Sequence, residues 1–200
     1  MNQTHRLLTI LLLGGLLTLA GCPGRSGPAP TTPAATPPGE TVKPTTTLSP
    51  DLTFTALDGK TLKLSELKGK VVVVDFWGML CSGCVEELGK YEADPSLSKN
   101  PKVQIIAVDN QDTAPEAVRK FVQEHGWTYP VVMATEELRQ AFGLVGKVVL
   151  PQVRIIGPEG TSFTALGPAE ANAEQVKKRV GALLSAANPM PTPTPAPSKP

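Results

Sequence analysis

The sequence predicts an α/β sandwich built around a mixed β-sheet, with proline-rich ends outside it. Three observations carry this. Val71-Val72-Val73-Val74 is a β-branched run without polar alternation, as in a strand covered on both faces. Helical segments with caps or terminal glycines alternate with such strands through the middle of the chain. A late hairpin followed by a helix with one apolar stripe closes the pattern.

Taken in order, Phe54 to Leu57 and Thr61 to Leu64 flank Asp58-Gly59, a strong two-residue turn, and read as a hairpin. Ser65 to Gly69 is a short helical turn closed by glycine. After the valine strand a helix begins near Cys81 and runs to about Ala93, stopping before Asp94-Pro95. Val103 to Val108 is a second buried strand. Thr113-Ala114-Pro115-Glu116 has capping-box spacing, and Ala117, Val118, Phe121 and Val122 give the next helix one apolar face, which Gly126 ends. Tyr129 to Val132 is a short extended piece. Thr135 caps Glu136 to Phe142, and Gly143 ends it. Gln152 to Ile156 and Ser162 to Leu166 form a hairpin around Gly157-Pro158-Glu159-Gly160. Val176, Val180, Leu183 and Leu184 mark the inner face of a final helix.

The chain has 200 residues, with 19 Lys plus Arg against 18 Asp plus Glu, a formal net charge of +1. That balance offers nucleic acid no electrostatic purchase. Of 21 prolines, eight lie in 23–50 and six in 189–200, leaving seven for the middle. The folded part is therefore a single domain over 48–187, large enough for one apolar core. Three cysteines are too few for a disulfide-stapled miniprotein.

Residues 1–21 read as an export signal: His5 and Arg6 precede an apolar run from Leu7 to Ala20, too short for a comfortable membrane span of about 20 residues. Leu19-Ala20-Gly21-Cys22 resembles the lipobox of bacterial lipoproteins, which implies cleavage before Cys22, lipid on that thiol and attachment to a membrane through it. Residues 22–47 are rich in Pro and Thr and read as a semi-rigid tether of at most about 78 Å in polyproline II. Residues 188–200 read as a solvated tail of the same kind.

Asp75-Phe76-Trp77-Gly78-Met79-Leu80-Cys81-Ser82-Gly83-Cys84 is the informative segment. A buried strand ends, a loop follows and a helix starts at Cys-x-x-Cys. A thiol at a helix N-terminus meets free backbone N–H groups and the positive dipole end, which favours thiolate. The thiol one turn inside is shielded. This arrangement suits attack by Cys81 and resolution by Cys84. Half of a zinc site is the competing reading, but zinc needs four ligands; Cys22 is remote and the only histidines are His5 and His125, the latter suited to a helix C-terminus. A purely structural disulfide also stays open in an exported chain, although the loop it closes is tiny.

Over about residues 50–186 the sequence resembles the thioredoxin fold, and within it the exported thioredoxin-like reductases of the ResA and TlpA type. The resemblance rests on Asp58-Gly59-Lys60, Leu67-Lys68-Gly69-Lys70, Phe76-Trp77-Gly78, the CxxC, and Leu150-Pro151 ahead of a strand. It implies a three-layer sandwich with an added N-terminal hairpin. It implies Cys81 and Cys84 as the redox pair, a cis Pro151 against them, and substrate contact at Trp77, Leu150 and Pro151. It further implies a buried acid at Asp75, six residues before Cys81, able to take the Cys84 proton, and a functional acid at Glu87. No metal or organic cofactor is implied. Partners would be a disulfide-bearing protein substrate and a membrane thiol donor that keeps the pair reduced, with cytochrome c maturation as the family association.

Five residues at four places depart from the family pattern. Leu80 replaces the Trp that usually precedes the first Cys. Ser82-Gly83 replaces a proline-containing pair. Gly89 stands where the family often has a kinking Pro. Arg154 interrupts the apolar run after Pro151, which suggests an edge or binding role. The resulting expectation is a lipid-anchored, extracytoplasmic thiol–disulfide oxidoreductase acting as a reductase. Its rivals are a peroxiredoxin-like peroxidase, against which Gly78 stands in the place of the usual Thr, and a non-catalytic binding lipoprotein.

Overall fold

The computed structural model of the protein describes residues 47–188. The signal, Cys22, all but the last residue of the tether, and the tail after Asn188 lie outside the described residues.

The elements are β1 (Thr53–Thr55), β2 (Thr61–Lys63), a 3₁₀ turn (Leu64–Leu67), β3 (Val71–Trp77), α1 (Ser82–Ala93), α2 (Pro95–Ser98), β4 (Val103–Asp109), α3 (Pro115–His125), β5 (Val131–Met133), α4 (Glu136–Ala141), β6 (Gln152–Ile156), β7 (Phe163–Leu166) and α5 (Ala173–Ala187). Five strands form one sheet in the order β5-β4-β3-β6-β7. Strands β3, β4 and β5 run parallel, and β6 is antiparallel to both β3 and β7. The β1–β2 hairpin is a separate ladder, joined to the main sheet by an Ala56–Val132 bridge.

All seven residues of β3 are buried, as a strand in the middle of a sheet requires. Its period of two divides them: Val71, Val73 and Trp77 enter one core, while Val72, Val74 and Phe76 enter the other. The first core takes Cys84, Leu88 and Tyr91 of α1, Val118 of α3, and Val176 and Val180 of α5. The second takes Phe54 of the hairpin, Leu64 and Leu67 of the 3₁₀ turn, and Leu138 and Phe142 around α4. The result is the expected sandwich of three layers.

Three local expectations need correction. Thr113 does not cap α3, whose N-cap is Ala114 without a side-chain bond. Its N–H and hydroxyl go instead to the Asp109 carboxylate, at 3.3 and 3.4 Å, because that carboxylate is buried at the end of β4 and needs donors. α1 ends before Asp94 as expected, but no loop follows: Asp94 at once caps the short helix α2, its Oδ1 accepting from Ser96 N–H at 2.9 Å.

The third concerns Arg154. It lies on β6, an interior strand, and is 6 % exposed, so it occupies no edge. Its guanidinium donates to the carbonyls of Phe142 and Val153 and to Gln152 Oε1, and lies 5.7 Å from the Phe163 ring. Burial holds it at about 10, below the usual arginine range.

Candidate active site

The loop after β3 delivers Cys81 to the N-cap of α1, and Cys84 sits one turn in. The two are joined as a disulfide, with Cα atoms 5.3 Å apart. Cys81 is half-buried and Cys84 fully buried. Cys81 Sγ accepts from Cys84 N–H at 3.2 Å. This bond places a backbone donor where a Cys81 thiolate would carry its charge, in the field of the α1 N-terminus. Leu80, beside it, is 92 % exposed.

Asp75 lies on the sheet face that α1 covers. It shares the β3 face of Val73 and Trp77, and so points into the core that holds the Cys84–Leu88–Tyr91 stripe of α1. It is 1 % exposed, and neither carboxylate oxygen has a hydrogen-bond partner among the described residues. Burial pushes its carboxyl up to about 7; the nearby Tyr91 hydroxyl opposes this, and the negative charge of Glu87 reinforces it. Tyr91 approaches closely enough to act on that charge, but the pair does not meet hydrogen-bond geometry. Burial, with the Asp75 charge second, drives the Tyr91 phenol far above its ordinary range.

Glu87 is not a free surface acid: its side chain is 13 % exposed. One oxygen accepts from Lys90 Nζ at 2.7 Å and the other from Ala173 N–H, the first residue of α5. The carboxylate thus ties α1 to the start of α5, and its charge suits a helix N-terminus. Its partner lies 86 residues away, so nothing local signals the bond.

The peptide bond between Leu150 and Pro151 is cis. Register pairs Phe76 with Gln152, which sets Pro151 at the end of the sheet where β3 turns toward the CxxC. Leu150 and Pro151 are half-buried. Trp77 is placed otherwise than the resemblance implied. It is fully buried, packed on Phe121 and Trp127 at 5.7 and 5.0 Å, and its ring forms core and no docking surface. Gly89 leaves α1 unbroken from Ser82 to Ala93.

One contact had no sequence signal. Gln111, in the β4–α3 loop, accepts through Oε1 from Leu80 N–H at 3.1 Å, across 31 residues.

Residues 46–161 match the AhpC/TSA family. The chain belongs to that family. Among curated proteins, this AhpC/TSA member is 34 % identical over 112 residues to the thiol-disulfide oxidoreductase ResA of Bacillus subtilis (strain 168), covering 56 % of this chain and 61 % of that one. It is 29 % identical over 141 residues to ResA of Bacillus thuringiensis subsp. konkukian (strain 97-27), covering 70 % and 77 %. The match to the first of these relatives thus spans about three fifths of that protein's length. Among solved structures, a thiol:disulfide interchange protein of the thioredoxin family from Chlorobium tepidum TLS superposes with a TM-score of 0.57 at 26 % identity, over 69 % of this chain and 96 % of that one. The fold of this AhpC/TSA chain is thioredoxin-like.

Proposed function

We propose that the protein is a thiol–disulfide oxidoreductase that reduces protein disulfides outside the cytoplasm, held to a membrane by lipid on Cys22. The observation that carries the reading is the placement of two cysteines of unequal access at the start of α1, with a buried carboxyl poised near neutrality on the sheet face that α1 covers. The names of the ResA relatives point the same way.

In the proposed cycle the Cys81 thiolate attacks one sulfur of a substrate disulfide. That S–S bond breaks, a Cys81–substrate mixed disulfide forms, and the first substrate sulfur leaves as thiolate and takes a proton. Asp75 accepts the Cys84 proton. The Cys84 thiolate then attacks Cys81 Sγ, closing the intramolecular disulfide and releasing the second substrate thiol. Two electrons pass from the dithiol to the substrate, and a membrane thiol donor restores the dithiol. Leu150 and Pro151, at the end of the sheet where β3 turns toward the CxxC, are the proposed substrate contacts.

The lipobox resemblance at Leu19-Ala20-Gly21-Cys22 supports the anchor. Among the described residues no helix is long and apolar enough to cross a membrane. Gly78 weighs against the peroxidase reading: a Cβ there would stand 2.1 Å from Gln111 Cδ, so a Thr would displace the bond from Leu80 to Gln111.

The test is insulin reduction by dithiothreitol-reduced protein freed of excess reductant. Turnover is expected, with its loss in Cys81→Ser, and alkylation at mildly acidic pH should label Cys81 before Cys84. Peroxide consumption without insulin reduction would place the chain among peroxidases. Absence of both activities would leave a binding protein.

A further inference from the structure

The turn that presents Cys81 is held from outside its own segment. Within the turn, Cys81 N–H donates to the Gly78 carbonyl at 3.0 Å. From the β4–α3 loop, Gln111 Oε1 accepts from Leu80 N–H at 3.1 Å. The same side chain covers Gly78: a Cβ built at position 78 would lie 2.1 Å from Gln111 Cδ and 2.3 Å from its Cγ and Oε1. One exposed glutamine thus touches both the first and the third residue of the turn. Glycine at 78 is what lets it approach.

Gln111 is in turn flanked by two anchored residues. Arg139 of α4 donates Nε to Asn110 Oδ1 at 2.9 Å and pairs with the Asp112 carboxylate. The Arg139 side chain is 19 % exposed but that of Asp112 is 80 % exposed, so the part-buried bond to Asn110 does more of the anchoring than the ion pair. Asn110 N–H donates to the Trp77 carbonyl at 2.9 Å, joining the loop to the end of β3. Asp112 takes φ +52, a left-handed conformation that Asp tolerates better than most residues. Arg139 therefore holds the loop on both sides of Gln111, and Gln111 holds the redox turn.

The geometry points to Gln111 as a positioning residue for Cys81: a clamp, anchored through Arg139, that fixes where the Cys81 sulfur lies against the first N–H groups of α1. The Cys84 N–H that reaches Cys81 Sγ at 3.2 Å stabilises a thiolate only while the turn keeps that distance. A released turn weakens that stabilisation and moves the thiol toward its ordinary titration range. The consequence for turnover rests on the oxidoreductase reading, whereas the effect on the thiol does not and is measured without substrate.

Gln111→Met keeps the bulk and removes the acceptor, at an exposed site where folding is not at risk. Gly78→Ala leaves Gln111 in place and removes the room it occupies. The carboxylates near the turn (Asp75 on β3, Glu87 on α1, Asp109 and Asp112 around the clamp) are unchanged in both. Iodoacetamide labelling of Cys81 in reduced protein, followed by mass spectrometry from pH 5 to 9, reads the thiol directly. Thermal melts report folding.

Both variants should move the Cys81 labelling midpoint upward by roughly half a pH unit, with melts close to wild type. Both should slow insulin reduction about fivefold, the scale of one net hydrogen bond. The double variant should match Gly78→Ala alone, since each change breaks the same contact. Arg139→Met should move the midpoint in the same direction by less. A wild-type labelling profile in Gln111→Met overturns the clamp, whatever happens to insulin. If the clamp variants shift labelling while wild-type protein fails to reduce insulin, the clamp stands and the oxidoreductase reading falls.

Discussion

Asp75 and Tyr91 lie side by side between β3 and α1, both fully buried, and neither the carboxylate nor the phenol has a hydrogen bond among the described residues. Two orphaned polar groups in one apolar core cost stability, and such groups persist most often where they have work to do. In the proposed cycle that work is taking the proton of Cys84, which lies on the same stripe of α1 as Tyr91.

Asp75→Asn should change the pH dependence of stability. A carboxyl in an unfolded chain titrates near about 3.9, while burial pushes Asp75 up to about 7 in the fold. Between those values the folded form holds a proton that the unfolded chain has released. Stability therefore falls as pH rises from about 4 to about 7 and levels off above. Urea unfolding of the disulfide form should show wild type losing up to about 4 kcal/mol against Asp75→Asn across that window. Parallel pH profiles would mean that Asp75 is hydrated in solution. On the oxidoreductase reading, reduced protein carrying the same variant should show slower turnover over about pH 6–9, a range that spans thiol titration.

Tyr91→Phe removes the one polar group that favours the Asp75 carboxylate. The Asp75 titration should move above its wild-type position, seen as a stability slope that continues past about pH 7. At pH 5, where Asp75 is protonated in the folded form, the variant should be as stable as wild type or more so, since an orphaned buried hydroxyl is gone. A marked loss of stability at pH 5 would show that the hydroxyl has a partner in solution.

Glu87→Ala should uncouple α1 from α5. The Ala173 N–H loses its acceptor and Lys90 loses a partner 2.7 Å away. Losing a helix-terminal acceptor costs about 1 kcal/mol, measurable by urea unfolding at pH 8. Because the charge of Glu87 helps hold Asp75 up, its removal should also move the Asp75 titration downward. Glu87→Gln keeps an acceptor for Ala173 and should recover most of the stability while leaving Asp75 shifted. If Glu87→Gln were as unstable as Glu87→Ala, the charge and not the acceptor would be holding α5.

A chain beginning at Thr47 should keep full insulin-reducing activity, because residues 23–46 hold no thiol and none of the groups placed at the site. A chain beginning at Thr53 should not fold stably. It lacks Leu48 and Leu52, each 2 % exposed in the second core, and the Leu48 N–H bond to the Thr161 carbonyl at 2.9 Å. Deleting a buried leucine side chain costs about 2–5 kcal/mol. Thermal melts of the two chains, side by side, check this. On the proposed anchor reading, shortening the proline-rich segment in cells should cut access to distant substrates while leaving activity in vitro unchanged.

Much of the fold was legible because its signals are local. Asp58-Gly59 sets a turn whatever surrounds it, Gly126 at φ +66 ends a helix by its own backbone freedom, and four consecutive valines demand cover on both faces. The CxxC was legible for the same reason, since strand, loop and helix start are contiguous. The sequence by itself therefore determined the α/β layering, the helix that carries the cysteines, and Cys81 as the more accessible thiol. Tertiary structure alone decided which polar groups have partners. Thr113 was drawn from the helix cap by a buried Asp109, Glu87 found its acceptor role at Ala173, Arg154 was enclosed among carbonyls and a phenyl ring, and Gln111 reached across 31 residues to the redox turn. A polar side chain is governed by whatever donor, acceptor or solvent lies within about 3 Å, and residues far apart in the chain come that close only once the sheet and its two cores have formed.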